Sequence, residues 1–269
     1  SRLRQQGNRM DFNDTPEQAC FRKEASIWLA ENAPMDEAFR ALPPLEQAKL
    51  WQKRKYDAGW ACIGWAPEFG GRGASPIEEV IWRQEESKYE LPAAFFLIGQ
   101  GMIAPTLMAW ASDEDKARFL PPLASGDEVW CQLFSEPAGG SDLAALRTRA
   151  ERDGDGWVIN GQKIWTSGAH FSDFGVIVVR TDPTVPKHKG LSYFYVDMKA
   201  PGVEIKPIKQ LTGESGLKAH VCRHNNLWPM QHTRAHVCVC LSLSLCLSLS
   251  LSLSLCLSLS LSLSLSLSL

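Results

Sequence analysis

The chain has 269 residues, with 28 Lys plus Arg against 30 Asp plus Glu and a formal net charge of −2. That balance lacks the basic excess expected of a nucleic-acid partner, and the length suffices for one large domain or two ordinary ones around a buried core. Of its eight cysteines, Cys20, Cys62 and Cys131 are scattered, while Cys222, Cys238, Cys240, Cys246 and Cys256 crowd the C-terminal end. This is the pattern of a reduced intracellular protein, cytoplasmic or mitochondrial, and not of a disulfide framework. No apolar run before Gly216 is long enough to cross a bilayer, so no membrane partner is expected.

Residues 1–9 carry three arginines and no acid. They read as an extension or as the remnant of a transit peptide, with a domain beginning at Met10. From there to 127 the signals are helical. Thr15-Pro16-Glu17-Gln18 offers an N-cap, a proline at the first helical position and a residue that closes a capping box, ahead of an apolar face ending near Asn32. A second helix is expected from Leu45 to Ala58, stopped by Gly59, and Ser75-Pro76-Ile77-Glu78 opens a third. The apolar segment Ala93–Trp110 is expected to be the buried helix. Ser112 caps a last one, stopped by Pro121-Pro122.

Between 128 and 215 the period changes. Val129–Phe134, Trp157–Ile159, Phe174–Arg180 and Leu191–Met198 are short runs rich in β-branched and aromatic residues. Asp153–Gly156 and Asn160-Gly161 read as tight turns between strands. Helices followed by an antiparallel, barrel-like β domain give an α+β fold, not a doubly wound one. Beyond 216 the text loses periodicity, and from Leu241 to Leu269 Leu alternates with Ser or Cys. Translated CT repeats read Leu-Ser, so residues 216–269 are read as a low-complexity, aberrant tail; the alternative is a genuine low-complexity or membrane-active segment.

Two stretches carry chemistry. Glu136-Pro137-Ala138-Gly139-Gly140-Ser141-Asp142 follows a strand, and its small residues let backbone N–H groups approach an anionic or carbonyl oxygen. Taken alone, it is equally an ordinary tight loop. It is not the GxGxxG fingerprint of a nicotinamide site. Asn160-Gly161-Gln162-Lys163-Ile164-Trp165-Thr166-Ser167-Gly168 comes next, and in isolation Trp165 could be a sheet-packing residue and Ser167 a turn residue.

Together with GLSYFYVDMKAPGVEIKPIKQLTGES and the upstream GWACIGWAPEFGGRGASPIEE, these stretches closely resemble the acyl-CoA dehydrogenase family from about Met10 to Ser215. The resemblance implies a helical N-terminal domain (10–127) and a β middle domain (128–215) that binds FAD. It places Leu133, Phe134, Ser135, Trp165, Thr166 and Ser167 against the flavin, and Ser141 at both cofactor and acyl-CoA. Relatives often have Thr where Ser135 stands and GAG where this loop reads AGG; the hydroxyl and the small residues are kept.

The reaction implied is α,β-dehydrogenation of an acyl-CoA thioester, with electron-transfer flavoprotein as acceptor, a homo-oligomeric assembly and no metal. An acyl-CoA oxidase and a non-catalytic FAD-binding module are the alternatives. The family's catalytic glutamate lies in a C-terminal helical domain to which nothing here corresponds. No base is therefore assigned, and the chain alone is expected to be inactive. Glu136 is not a candidate, because the family keeps that position within the loop.

Overall fold

The structure, a computed structural model, describes residues 13–33, 36–92, 94–154, 156–208 and, as backbone, 220–224. The 1–9 extension and the Leu-Ser repeats lie outside the described residues. The chain divides into two compact units, Ser1–Pro92 and Ala93–Leu269.

In the first unit, α1 (Pro16–Asn32) starts at the expected capping box: the Thr15 hydroxyl accepts from the Gln18 N–H, and the Gln18 side chain accepts from the Thr15 N–H. A short α2 (Glu37–Arg40), not foreseen, is capped by Asp36. Helix α3 (Pro44–Asp57) gives way at Gly59, whose φ of 71° turns the chain away. Helix α4 (Pro76–Glu86) opens on a second capping box, Ser75 with Glu78. The core of this unit is aromatic. Trp60 stacks on Trp82 at 4.6 Å, and Trp28 packs against Trp51, Trp60 and Trp82.

The second unit begins with the segment expected to be one buried helix. It is broken instead into a 3-10 turn (Ala94–Phe96), a π-helical stretch (Gly99–Ile103) and α5 (Ala104–Trp110). Leu97 and Trp110 are more than half exposed, so apolarity alone misreads the segment. Helix α6 (Asp113–Ser125) does not stop at Pro121-Pro122. It runs through both prolines to Gly126 (φ 80°), because Leu120, Leu123 and Ala124 are buried and this packing offsets the lost backbone hydrogen bonds. The aromatic ring of Phe119 meets Trp130, Phe174 and Tyr195 edge-on, fixing α6 to the sheet.

The sheet has seven strands: β1 (Trp130–Leu133), β2 (Arg149–Asp153), β3 (Gly156–Lys163), β4 (Phe174–Arg180), β5 (Leu191–Asp197), β6 (Val203–Pro207) and β7 (His220–His224). Their order is β1-β4-β2-β3-β7-β6, with β5 on the other edge of β4. The fold is α+β, as expected, but the sheet is mixed rather than wholly antiparallel. Both β1 and β2 run parallel to β4, pairing at Trp130↔Phe174 and Arg149↔Arg180. Since β5 covers one edge of β4 from Phe174 to Arg180, β1 and β2 occupy successive stretches of the other edge.

Three strands went unforeseen. β2 (RAERD) is mostly exposed and charged, β6 is short, and β7 lies past Ser215, where sequence reasoning ends the β domain. Strand β7 joins β3 and β6 antiparallel, so the first residues beyond 216 are not all structureless repeat. Asn160-Gly161 is not a turn either. It sits inside β3, and only the Gly154 turn, at φ 58°, connects β2 to β3. No helix among the described residues is long and apolar enough to cross a membrane.

Candidate functional site

The two motif stretches meet because β3 is long. Alongside β2 it pairs as far as Arg149↔Asn160 and then continues past the end of β1. There the Ile164 N–H donates to the Ser135 carbonyl at 2.9 Å, and the Lys163 ammonium donates to the Phe134 carbonyl at 3.0 Å. Leu133–Ser135 and Trp165–Ser167 are thereby laid side by side.

Trp165 stands out within this pair. Its φ is 61°, a left-handed conformation that strains any residue with a side chain, and its indole is 60% exposed. Large rings left in water on a strained backbone cluster at binding sites, where surrounding structure imposes the conformation. The turn that follows is tight: the Ser172 hydroxyl and the N–H groups of Phe171 and Ser172 all donate to the Gly168 carbonyl. Gly168 has φ 77°, and a Cβ there would stand 2.8 Å from the Phe171 ring.

The remaining sequence candidates divide by exposure. Phe134, Ser135 and Ser167 are half-buried and Ser141 is exposed. The side chains of Leu133 and Thr166 are fully buried, Leu133 within the apolar core of the sheet, so Leu133 can serve a ligand only through its backbone. Ser141 lies on the loop between β1 and β2. That loop begins with a turn closed by reciprocal Glu136–Gly139 backbone bonds, and Gly140 lies close enough that a Cβ would sit 3.8 Å from the Ser135 hydroxyl. Asp142 pairs with Lys187 at 2.7 Å, which holds its carboxyl below the usual range.

Beneath the two stretches is a buried polar cluster that sequence reasoning missed. The Glu136 carboxylate accepts from the Arg147 N–H (2.6 Å), the Thr148 N–H (2.9 Å), the Thr148 hydroxyl (2.6 Å) and the Lys163 ammonium (2.9 Å). Burial pushes the Glu136 carboxyl up, but these donors, the Thr148 hydroxyl foremost, outweigh it and the net shift is downward. Burial draws Lys163 down, opposed by Glu136. One signal was present. Lys163 shares the inward parity of Ile159 and Gly161 on β3, so a charge falls where the alternation calls for an apolar residue.

The helical first unit, the mixed sheet and the paired motif stretches define the N-terminal and middle parts of an acyl-CoA dehydrogenase fold. Family models for the acyl-CoA dehydrogenase N-terminal domain and middle domain match residues 15–127 and 131–226, and the chain belongs to the acyl-CoA dehydrogenase family. It is 41% identical over 203 residues to acyl-CoA dehydrogenase IpdE1 of Mycobacterium tuberculosis, covering 72% of this chain and 52% of that protein. It is 42% identical over 201 residues to FadE34 of the same organism, covering 74% and 28%. The solved Tcur3481-Tcur3483 steroid ACAD aligns with a TM-score of 0.68 at 34% identity, covering 82% of this chain and 57% of that one. The ChsE4-ChsE5 complex from Mycobacterium tuberculosis gives 0.68 at 32% identity, covering 82% and 56%. The chain spans about half the length of IpdE1.

Proposed function

We propose that this chain supplies the FAD-binding face of an acyl-CoA dehydrogenase, with Leu133–Ser135 and Trp165–Ser167 against the flavin and Ser141 shared between cofactor and acyl-CoA. One observation carries the reading: two stretches distant in sequence are hydrogen-bonded side by side, with a strained, exposed indole at their edge. The residues fit a flavin. A flat indole offers a stacking surface, Ser135 and Ser167 offer hydroxyls, and the exposed small residues of the 138–141 loop let a ligand come close to the backbone.

When bound, FAD supplies the acceptor for a hydride from the acyl β carbon. The chain's own residues hold the ring and position the thioester beside it. Removing the α proton needs a positioned carboxylate, and no described residue is assigned that role. Glu136, the acid adjoining Ser135, faces inward and is taken up by four donors. In the functional assembly the helical domain is 10–127, the β domain runs from 128 past the expected 215 to include β7, electron-transfer flavoprotein is the acceptor, and a second acyl-CoA dehydrogenase subunit is the partner. Two neighbouring structures of mixed subunit composition, one named a steroid ACAD, support that pairing and a bulky, ring-bearing acyl group as substrate.

The test is a flavin titration of the purified chain, followed by anaerobic addition of an acyl-CoA. Trp165→Ala and Ser167→Ala should weaken FAD retention. Trp157→Ala, which removes a ring packed on Phe194 at 5.4 Å, should lower stability alone. A folded chain that retains no FAD, or equal effects from all three substitutions, would sink the reading.

A further inference from the structure

The loop from Pro137 to Arg147 leaves the sheet and returns to the same edge of β4, so β1 and β2 form one interrupted strand. Glu136 stands at the departure, Thr148 at the return, and Lys163 on β3 faces the interruption. No continuous ladder can span that gap, because its backbone groups belong to chain ends that diverge. The cluster takes the ladder's place: Glu136 draws in the N–H groups of Arg147 and Thr148, while Lys163 bridges Glu136 and the Phe134 carbonyl. Side-chain exposure is 0% at Lys163 and 6% at Glu136.

Gly161 makes the approach feasible. A Cβ there would stand 2.3 Å from the Thr148 hydroxyl oxygen, so only a glycine on β3 lets Thr148 reach Glu136. A buried ion pair is a poor source of net stability, since an apolar pair of similar volume commonly does as well. What this one supplies is direction, as every bond but one of the cluster ends on the backbone or hydroxyl of a segment flanking the candidate site.

We propose that Glu136 and Lys163, with Thr148, are positioning residues that set the spacing between the Leu133–Ser135 and Trp165–Ser167 segments and close the neck of the Ser141 loop. The inference rests on the FAD reading only for its consequence. The spacing itself is measurable without cofactor.

The experiment compares the full chain with Lys163→Met and Thr148→Val by amide hydrogen exchange without FAD, then by FAD titration and the visible flavin spectrum. In Lys163→Met, exchange at the Ile164 amide should quicken at least tenfold while the β4–β5 amides keep their relative protection. FAD should bind about tenfold more weakly, with an altered flavin band shape. Thr148→Val keeps the ion pair and removes one donor. It decides the matter if Lys163→Met does not fold, and should show the same local pattern with an effect of about threefold. Acceleration at Ile164 no greater than that of the β4–β5 amides, or none at Ile164 in Thr148→Val, overturns the positioning role in favour of a purely structural one. If the parent chain retains no FAD, the functional reading fails while the exchange comparison still decides this one.

Discussion

Each compact unit holds a Lys–Glu pair, partly buried in the first and fully buried in the second, and the two pairs do different work. In the first unit, Lys55 on α3 meets Glu86 on α4 at 2.8 Å, and the Trp51 indole N–H donates to the same carboxylate at 2.8 Å. Every partner there is a side chain. The pair fastens two helices whose places are already fixed by the tryptophan core. In the second unit, Lys163 and Glu136 bond mainly to backbone, at the gap between β1 and β2. The same chemistry reinforces packing in one place and specifies a chain path in the other.

The sharpest way to break this contrast is to remove both lysines in turn and follow urea unfolding. Lys163→Met leaves a carboxylate buried without its counter-charge and should cost about 3–5 kcal/mol. Lys55→Met should cost about 1–3 kcal/mol, because Glu86 keeps the indole donor and some access to water, and it should leave FAD affinity unchanged. Equal losses would mean that backbone partnership adds nothing.

Acid offers the next test. The folded-state value of Glu136 lies below its ordinary 4.5, so its contribution is complete above about pH 4.5 and is lost as pH falls through the lower folded value. Exchange at Ile164 should quicken over that acid range before the tryptophan fluorescence of the first unit changes. The reverse order would contradict the linkage. The smallest effect should come from Trp165→Gly, which relieves the left-handed backbone and removes an exposed ring. Stability should change by no more than about 1 kcal/mol, with either sign tolerable, while FAD retention falls. A large destabilisation would mean that the indole is a packing residue after all.

Much of this was legible in the chain. Thr15 with Gln18 and Ser75 with Glu78 announce helix starts because capping is local chemistry, and β4 was bounded at Phe174 and Arg180 by its apolar run. The candidate flavin-facing residues came from a family resemblance, and the structure brings their two stretches together. What escaped was decided by tertiary contact. Pro121-Pro122 looks like a helix stop unless the burial of Leu123 is known, and Asn160-Gly161 looks like a turn unless Thr148 lies across from it. Strand β2 carries almost no apolar signal because most of its residues face water. The role of Lys163 depends on an acid 27 positions away, a distance at which no local pattern speaks.

The closed neck between Glu136 and Thr148 also bears on how such a loop can vary. Both ends are tied by the same carboxylate, and the second half of the loop is held as well: Ala144 and Leu146 are buried and the Arg180 guanidinium donates to the Ala144 carbonyl at 2.6 Å, so only the exposed residues 137–142 are left without such a tie to β4. Lengthening a flexible loop costs only about 0.6 kcal/mol for each doubling when its ends are already held together. Insertions after Ala138, on the exposed stretch, should therefore be tolerated by the sheet, whereas insertions beside Ala144 should not, leaving the loop's tip free to vary while the strands beneath stay unchanged.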